Sequence, residues 1–250
     1  MATLHFLGTG AALSDPHRTT TMLALENDHS AIVIDCGGDV LQRLAAADVS
    51  TKKIRGLIIT HEHADHVAGF PLFMERIWLA GRREPLPVYG IAPALAQARR
   101  THESFDLSGY EGMPEILWQE VAYEEGALLL DNDDWHIYVT PGRHFVPVVG
   151  LRIRDKRGGG TLCYSCDTAF HEPIIRLAEG AQVLVHEATM SSEGHASAEE
   201  AAEVAKRAGV QRLWLVHLPP EAELDDARMG RARAIFAHCD KALEGGSIEF

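Results

Sequence analysis

Residues 56–66 read Gly-Leu-Ile-Ile-Thr-His-Glu-His-Ala-Asp-His and place four potential metal ligands within six residues, directly after a short apolar run. The apolar run predicts a buried strand, so the ligands follow its carboxyl end. Because alternate residues of an extended chain point the same way, His61 and His63 can bind one metal ion, while Asp65 and His66 turn toward a second. A solvated polar loop is the simpler interpretation, but three histidines and an aspartate at this spacing disfavour it.

The rest of the chain alternates strand-like and helical patterns around this stretch. Short apolar runs predict strands at 4–7, 22–25, 31–34, 57–59, 88–89, 137–140, 148–153, 161–164, 183–185 and 213–216. Amphipathic patterns predict helices at 40–47, 67–79, 94–100 and 198–208, the last opened by a Ser197–Glu200 capping box and closed by Gly209. Two successive strand–helix halves predict an α/β fold, a four-layer αββα sandwich. Since no linker or repeat interrupts the pattern, a single domain over 1–250 is expected.

Charge limits the class of partner. The formal net charge is −13 and no basic run is present, which disfavours extended nucleic acid as a partner. A small anionic substrate remains compatible with this charge, because bound metal ions supply local positive charge. The composition therefore favours small substrates.

The sequence also bears on compartment and on cysteine chemistry. Residues 1–8 show no signal-peptide pattern and no apolar window is long enough to span a membrane, so a cytoplasmic protein without membrane association is expected. Cys163 and Cys166 have the spacing of a redox or zinc motif. In an extended segment, however, residues three apart face opposite ways, and no second pair is present. All four cysteines are therefore predicted to be buried free thiols.

The pattern H-x-H-x-D-H resembles that of the metallo-β-lactamase superfamily, and neighbouring motifs sharpen the resemblance to its ribonuclease Z-like phosphodiesterase branch. The motifs are Leu-Gly-Thr-Gly-Ala-Ala at 7–12, Asp-Cys-Gly-Gly at 35–38 and the strand at 84–90. The resemblance spans nearly the whole chain and implies the metallo-β-lactamase fold. Asp35 in the second motif can hydrogen-bond a ligand histidine or simply cap a turn.

The resemblance also implies the remaining metal ligands: His144 in Pro-Gly-Arg-His, Asp167 in Tyr-Ser-Cys-Asp-Thr and His217 in Trp-Leu-Val-His-Leu. On this interpretation one metal is bound by His61, His63 and His144, the other by Asp65, His66 and His217, and Asp167 bridges them. Two Zn²⁺ ions are expected, although Mn²⁺ or Fe also suits such ligands. An isolated histidine would more often be an ordinary structural residue.

Two further segments carry candidate catalytic residues. Val-His-Glu-Ala-Thr at 185–189 and Gly-His-Ala-Ser-Ala at 194–198 resemble segments of the ribonuclease Z-like branch. The resemblance implies that His195 donates a proton to the leaving oxygen and that Glu187 orients it; Asp65 is the third candidate catalytic residue. A polar loop before a helix is the structural alternative. With a hydroxide that bridges the two metals as nucleophile, these residues predict a hydrolase that cleaves small or cyclic phosphodiesters.

The main alternative is a transfer-RNA 3′ endonuclease like ribonuclease Z itself. That family has a long arm that grips transfer RNA between the positions of His144 and Asp167, whereas only 22 residues lie between them here and they predict a hairpin. Ser197 stands where the family has threonine, and the residues after His217 depart from its ending. The compact chain also resembles the phosphodiesterase of the carbon-phosphorus lyase pathway.

Other functions and assemblies also fit the sequence. Lactonase, β-lactamase or arylsulfatase activity stays open, because the same hydroxide attacks carbonyl and sulfate centres. A metal-binding module without catalysis is the non-enzyme alternative. A homodimer is compatible with the resemblance.

Overall fold

Two β-sheets form the centre of the molecule in the computed structural model, which describes residues 2–13, 15–220 and 224–250. The first sheet comprises β1 (Thr3–Gly8), β2 (Met22–Glu26), β3 (Ala31–Ile34), β4 (Ile54–Ile59), β5 (Leu86–Gly90), β6 (Ile116–Glu120) and β14 (Ser247–Glu249), in the order β14-β1-β2-β3-β4-β5-β6. The second comprises β7 (Ala127–Asp131), β8 (Trp135–Pro141), β9 (Val149–Asp155), β10 (Thr161–Tyr164), β11 (Val183–Glu187), β12 (Arg212–Val216) and β13 (Cys239–Lys241), in the order β13-β12-β11-β10-β9-β8-β7.

The two sheets repeat one pairing pattern. In the first, β14 to β3 pair antiparallel and β3 to β6 pair parallel. In the second, β7 to β10 pair antiparallel and β10 to β13 pair parallel. Because carboxyl ends of neighbouring parallel strands lie at the same edge, each half offers one edge where loops can carry functional groups.

Helices cover the outer faces of both sheets. Along the chain they are α1 (Val40–Ala46), a 3₁₀ turn (Thr51–Lys53), α2 (Ala64–Val67), α3 (Phe70–Leu79), α4 (Ala92–Glu103), α5 (Glu172–Ala178), α6 (Ala198–Ala208) and α7 (Asp226–Ile235). α1 and α4 contact the first sheet, while α5, α6 and α7 contact the second. No helix among the described residues has the length and apolarity that crossing a membrane requires.

The larger apolar core lies between the sheets. Buried side chains of both sheets belong to it; the ring centroids of Phe6 and Trp214, for example, are 6.1 Å apart. A second core lies between the second sheet and α5–α7. Strand β11 shows how one segment serves both, since Val183 and Val185 face the first core and Leu184 the second. The arrangement confirms the expected αββα sandwich.

The helix predicted at 67–79 is divided in two. α2 ends at Val67 and α3 begins at Phe70, with Gly69 between them. A Cβ atom on Gly69 would lie 2.3 Å from the carbonyl oxygen of Gly38 and 2.5 Å from that of Cys36. α2 is thus a separate turn that carries Asp65 and His66, and the chain after it packs closely on residues 36 and 38. The α6 prediction is confirmed at both ends, including the capping box and Gly209 with φ 68°.

All four cysteines are buried free thiols, as the sequence predicts. The hairpin predicted between His144 and Asp167 is present as β9 and β10, joined by a tight turn over residues 156–160. The residues between His144 and Asp167 thus form the end of a loop, two strands and the short turn between them.

Candidate metal centre

The seven predicted ligands come from loops and turns that follow strands at one edge of the sandwich. His61 and His63 follow β4, and Asp65 and His66 lie in α2. The other three follow strands of the second sheet: His144 after β8, Asp167 after β10 and His217 after β12. The structure brings all seven side chains together.

One cluster contains His61, His63, His144 and Asp167, with ligand atoms all within 4.8 Å of one another. His144 Nε2 lies 3.0 Å from His63 Nδ1 and 4.0 Å from Asp167 Oδ2. His61 Nε2 is 3.8 Å from Asp167 Oδ2. Nitrogen ligands at the usual zinc distance in a tetrahedron lie about 3.3 Å apart. The cluster therefore has the dimensions of a metal site.

A second cluster contains Asp65, His66 and His217. His217 Nε2 lies 3.3 Å from Asp65 Oδ2, and His66 Nε2 is 3.5 Å from the same oxygen. Asp167 Oδ2 also reaches this cluster, at 3.3 Å from His217 Nε2 and 3.5 Å from His66 Nε2. One carboxylate oxygen thus contacts both clusters, as a bridging ligand does.

Three atoms of these clusters lack hydrogen-bond partners although they are buried. They are His61 Nε2, His66 Nε2 and Asp167 Oδ1, judged within the described part of the chain. Buried polar atoms are normally paired, because leaving one unpaired costs free energy. Divalent metal ions would satisfy these atoms, so the residues present fit the implied metals.

His195 and Glu187 lie beside the clusters as a hydrogen-bonded pair. His195 Nδ1 is 2.8 Å from Glu187 Oε1. The Glu187 side chain is fully buried and also accepts hydrogen bonds from the backbone N–H groups of Thr168 and Thr189. The His195 ring stacks on that of His217, with centroids 5.5 Å apart and an interplanar angle of 12°. The pair holds an imidazole at the border of the second cluster.

The family comparison identifies this arrangement. The family model described as "Beta-lactamase superfamily domain" matches residues 30–218, which include all seven ligands. The chain belongs to the β-lactamase superfamily. The family and the two His/Asp clusters make this protein a metal-dependent hydrolase with a divalent metal site.

Known proteins place this superfamily member in the ribonuclease Z-like branch. It is 30% identical to "Ribonuclease Z" from Methanothermobacter thermautotrophicus, over 100% of this chain and 97% of that protein. Two solved structures have a similar fold at 23% identity each. The metallo-β-lactamase fold protein YhfI from Bacillus subtilis superimposes with a TM-score of 0.82, over the full length of both chains. The short form of human tRNase Z gives 0.81, over 99% of this chain and 98% of its own.

Hydrogen bonds outside the clusters of this hydrolase orient the ligand rings. His66 Nδ1 is 2.9 Å from Asp35 Oδ2, and His217 Nδ1 is 2.6 Å from Thr189 Oγ1. His144 Nδ1 donates to the Gly194 carbonyl oxygen at 2.7 Å. When an outer nitrogen donates in this way, the inner nitrogen keeps its lone pair for a metal. Of these three partners the sequence pointed only to Asp35, because nothing in the spacing of Thr189 or Gly194 indicates which histidine each will meet.

Electrostatics in the hydrolase site favour the proton-free forms of His61 and Asp167, whereas His66 tends to keep a proton. Burial, together with the nearby His66 imidazole, holds the pKa of His61 well below its ordinary value. Burial alone would raise the pKa of Asp167, but the imidazoles of His217 and His66 hold it well below the aspartate range. For His66, burial lowers the pKa whereas Asp167 and Asp35 raise it, and the net shift is upward. A bound cation would displace that proton.

The backbone is left-handed at three non-glycine residues of the hydrolase site. Asp35, Cys166 and His217 have φ angles of 61°, 52° and 51°. Such a conformation costs a non-glycine residue roughly 1–2 kcal/mol. It turns the chain sharply where β3, β10 and β12 end, which brings their loops to the metal clusters. The concentration of strained residues at one edge is typical of a functional site.

Replacing Asp35 by asparagine is expected to weaken metal binding by about 10- to 100-fold, the usual effect of removing the partner of a metal-bound histidine. The Asp35 carboxylate accepts hydrogen bonds from the Thr60 N–H and hydroxyl and from His66. Asparagine keeps the shape and tolerates the positive φ, but it removes the charge. Competition with a chromophoric chelator measures the affinity.

The matched control is Asp48→Asn, because Asp48 also has a positive φ, 57°, and its side chain is exposed. This variant should bind metal like the wild type. If Asp35→Asn also keeps wild-type affinity, then the Asp35 carboxylate does not tune the metal site and serves only to cap the turn.

Proposed function

We propose that this superfamily member is a phosphodiesterase, folded as one domain over 1–250, that uses two divalent metal ions. The observation that carries the proposal is that Asp167 Oδ2 lies within 3.3–4.0 Å of ligand nitrogens from both clusters. Paired metal ions are a recurrent device for phosphodiester hydrolysis, because they stabilise the attacking and leaving oxygens of an in-line displacement. The nitrogen and oxygen donors suit Zn²⁺, which is the proposed metal, while Mn²⁺ and Fe suit them too.

The proposed roles of the protein side chains follow from their contacts. Two divalent ions bound there would supply a deprotonated water as nucleophile and stabilise charge on the phosphoryl oxygens. Asp167 would contribute to both sites, and Asp65, at 3.3 Å from His217 Nε2, would contribute to the second. The buried Glu187 carboxylate accepts a hydrogen bond from His195 Nδ1, which directs Nε2 of the same ring away from Glu187. His195 then donates a proton to the leaving oxygen.

Burial lowers the pKa of His195, but Glu187 more than offsets this, and the net shift is upward. The upward shift favours the protonated form that a proton donor requires. The proposal that His195 is the general acid therefore rests on the position of its ring and on its tendency to be protonated.

RNA is the substrate class that the comparisons favour. The Methanothermobacter relative is named ribonuclease Z and aligns along the whole chain. This weighs against the expectation that extended nucleic acid is disfavoured. Cleavage of precursor transfer RNA is therefore one candidate reaction of this phosphodiesterase.

Small or cyclic phosphodiesters are the second candidate, and the shape and charge of the chain favour them. The segment between His144 and Asp167 has only 22 residues and forms two strands with a short turn. The alignment with the Methanothermobacter relative runs over 304 positions for a chain of 250 residues, so that relative contains insertions that are missing here. A net charge of −13 also opposes binding of a long phosphate backbone.

Activity measurements on metal-loaded protein distinguish the candidates. The panel contains precursor transfer RNA, a 2′,3′-cyclic nucleotide, bis(4-nitrophenyl) phosphate, an aryl sulfate and a lactone. We expect the phosphodiesters to be hydrolysed and the sulfate and lactone to react far more slowly. A 3′-trimmed transfer RNA product would select the RNA candidate; turnover of the small diesters alone would select the other. Reaction of only the lactone or the sulfate would overturn the proposed function.

A further inference from the structure

An exposed aromatic ring lies at the metal centre and has no role in the chemistry proposed so far. Phe145 directly follows His144, and its side chain is 63% exposed. Its ring centroid is 5.2 Å from that of His144 and 5.9 Å from that of His195. Single exposed apolar residues are common on protein surfaces and need no explanation. Phe145 differs because it contacts both a metal-cluster imidazole and the imidazole of the proposed proton donor.

The Phe145 ring packs against Gly194, which comes from the loop before α6. A Cβ atom on Gly194 would lie 2.6 Å from a carbon of the Phe145 ring, so the ring packs directly on backbone. The Gly194 carbonyl also accepts the hydrogen bond from His144 Nδ1. Any larger residue at 194 would displace the aromatic ring. The loop thus holds both the ligand histidine and the ring beside it.

We infer that Phe145 determines specificity by stacking on the nucleobase of the leaving nucleotide of the substrate. The inference rests on the proposed phosphodiesterase function. His195 protonates the leaving oxygen in that function, so a ring next to His195 lies on the side of the leaving group. A net charge of −13 repels phosphates, whereas stacking of a base on an aromatic side chain binds a nucleotide without using charge.

The experiment compares three dinucleotide phosphodiesters with the metal-loaded enzyme: one with both bases, and two that are abasic on one side of the phosphate. Product analysis identifies the leaving side. We expect the wild-type kcat/KM to fall by about 5- to 150-fold when the leaving side lacks its base, the range that corresponds to base–aromatic stacking. In Phe145→Ala the ratio of kcat/KM with the leaving-side base to kcat/KM without it should approach 1. Phe145→Trp should keep it.

Control variants separate stacking from folding. Tyr123 is another exposed aromatic residue, at 46%, so Tyr123→Ala should leave the ratio unchanged. Phe145→Leu keeps the bulk of the side chain without its aromatic face, and its ratio should also approach 1. If metal content and thermal unfolding show that Phe145→Ala does not fold, Phe145→Leu replaces it in the comparison.

Three results would overturn the inference. If Phe145→Ala or Phe145→Leu keeps the wild-type ratio, the ring does not bind the base. If the wild type cleaves all three dinucleotides equally well, the base is not recognised, although the phosphodiesterase function stands. If the wild type cleaves none of them and no other phosphodiester, the proposed function fails, and this inference fails with it.

Discussion

An Asp167→Asn variant is expected to bind less metal than the wild type and to lose activity by on the order of 10⁴-fold or more, a part of the 10⁶-fold or larger accelerations that enzymes achieve. Asp167 Oδ2 contacts histidines of both clusters, so its charge acts on both sites. Asparagine has nearly the same shape but is neutral, and its amide nitrogen cannot ligate a cation. Elemental analysis gives the metal content and steady-state kinetics the activity.

A burial-matched control for this variant is Asp155→Asn. Asp155 is also buried, but it accepts backbone hydrogen bonds from Arg157 and Gly158 in the β9–β10 turn, at the opposite end of these two strands from His144 and Asp167. The folded control should retain its metal and its kcat/KM. Full metal content and activity in Asp167→Asn would show that this carboxylate does not bridge two ions, and the proposed dinuclear site would have to be abandoned.

A His195→Ala variant should lose about 10²- to 10⁴-fold in kcat on substrates with an alkoxide leaving group, the usual contribution of a general acid. Its metal content should be unchanged. With a 4-nitrophenolate leaving group the loss should be much smaller, because that anion leaves without a proton. The comparison therefore tests proton donation itself and not only the presence of the ring.

A competing role for His195 arises from its surroundings. The ligand atoms of Asp167, His195 and His217 lie within 4.8 Å of one another, close enough to hold a metal ion. If His195→Ala loses metal in proportion to its activity, then His195 is a ligand. If both kinds of leaving group are slowed equally while the metal stays, His195 positions the substrate and does not donate the proton.

The first metal motif could be predicted because its ligands are local. A strand followed by alternating histidines at 61 and 63 directs both toward one point, whatever the rest of the fold does. The helix at 198–208 was predictable for the same reason, since its capping box and Gly209 act within a few residues. The separate α2 turn was not predictable, because no local pattern marks the break before α3 or the close packing of Gly69 on residues 36 and 38.

Four short strands also could not be predicted from local sequence patterns. No pattern predicted β6, β7, β13 or β14, which are three to five residues long and partly exposed. Each is defined by pairing with a neighbouring strand, as β14 pairs with β1 from the opposite end of the chain. Short edge strands show little hydrophobic periodicity of their own, so pairing with the neighbouring strand determines where they form.

The ligand types, the local geometry of the H-x-H-x-D-H motif and the layered α/β class follow from the residues alone, because they depend on side-chain chemistry and on periods of a few residues. The resemblance implied that Asp167 serves both metals and that Glu187 orients His195, but the contacts themselves, like the packing of Phe145 on Gly194, are seen only in the folded chain. Those contacts join residues 8 to 106 positions apart. Their distances are set by how the two sheets pack, and packing depends on the whole core rather than on any one segment.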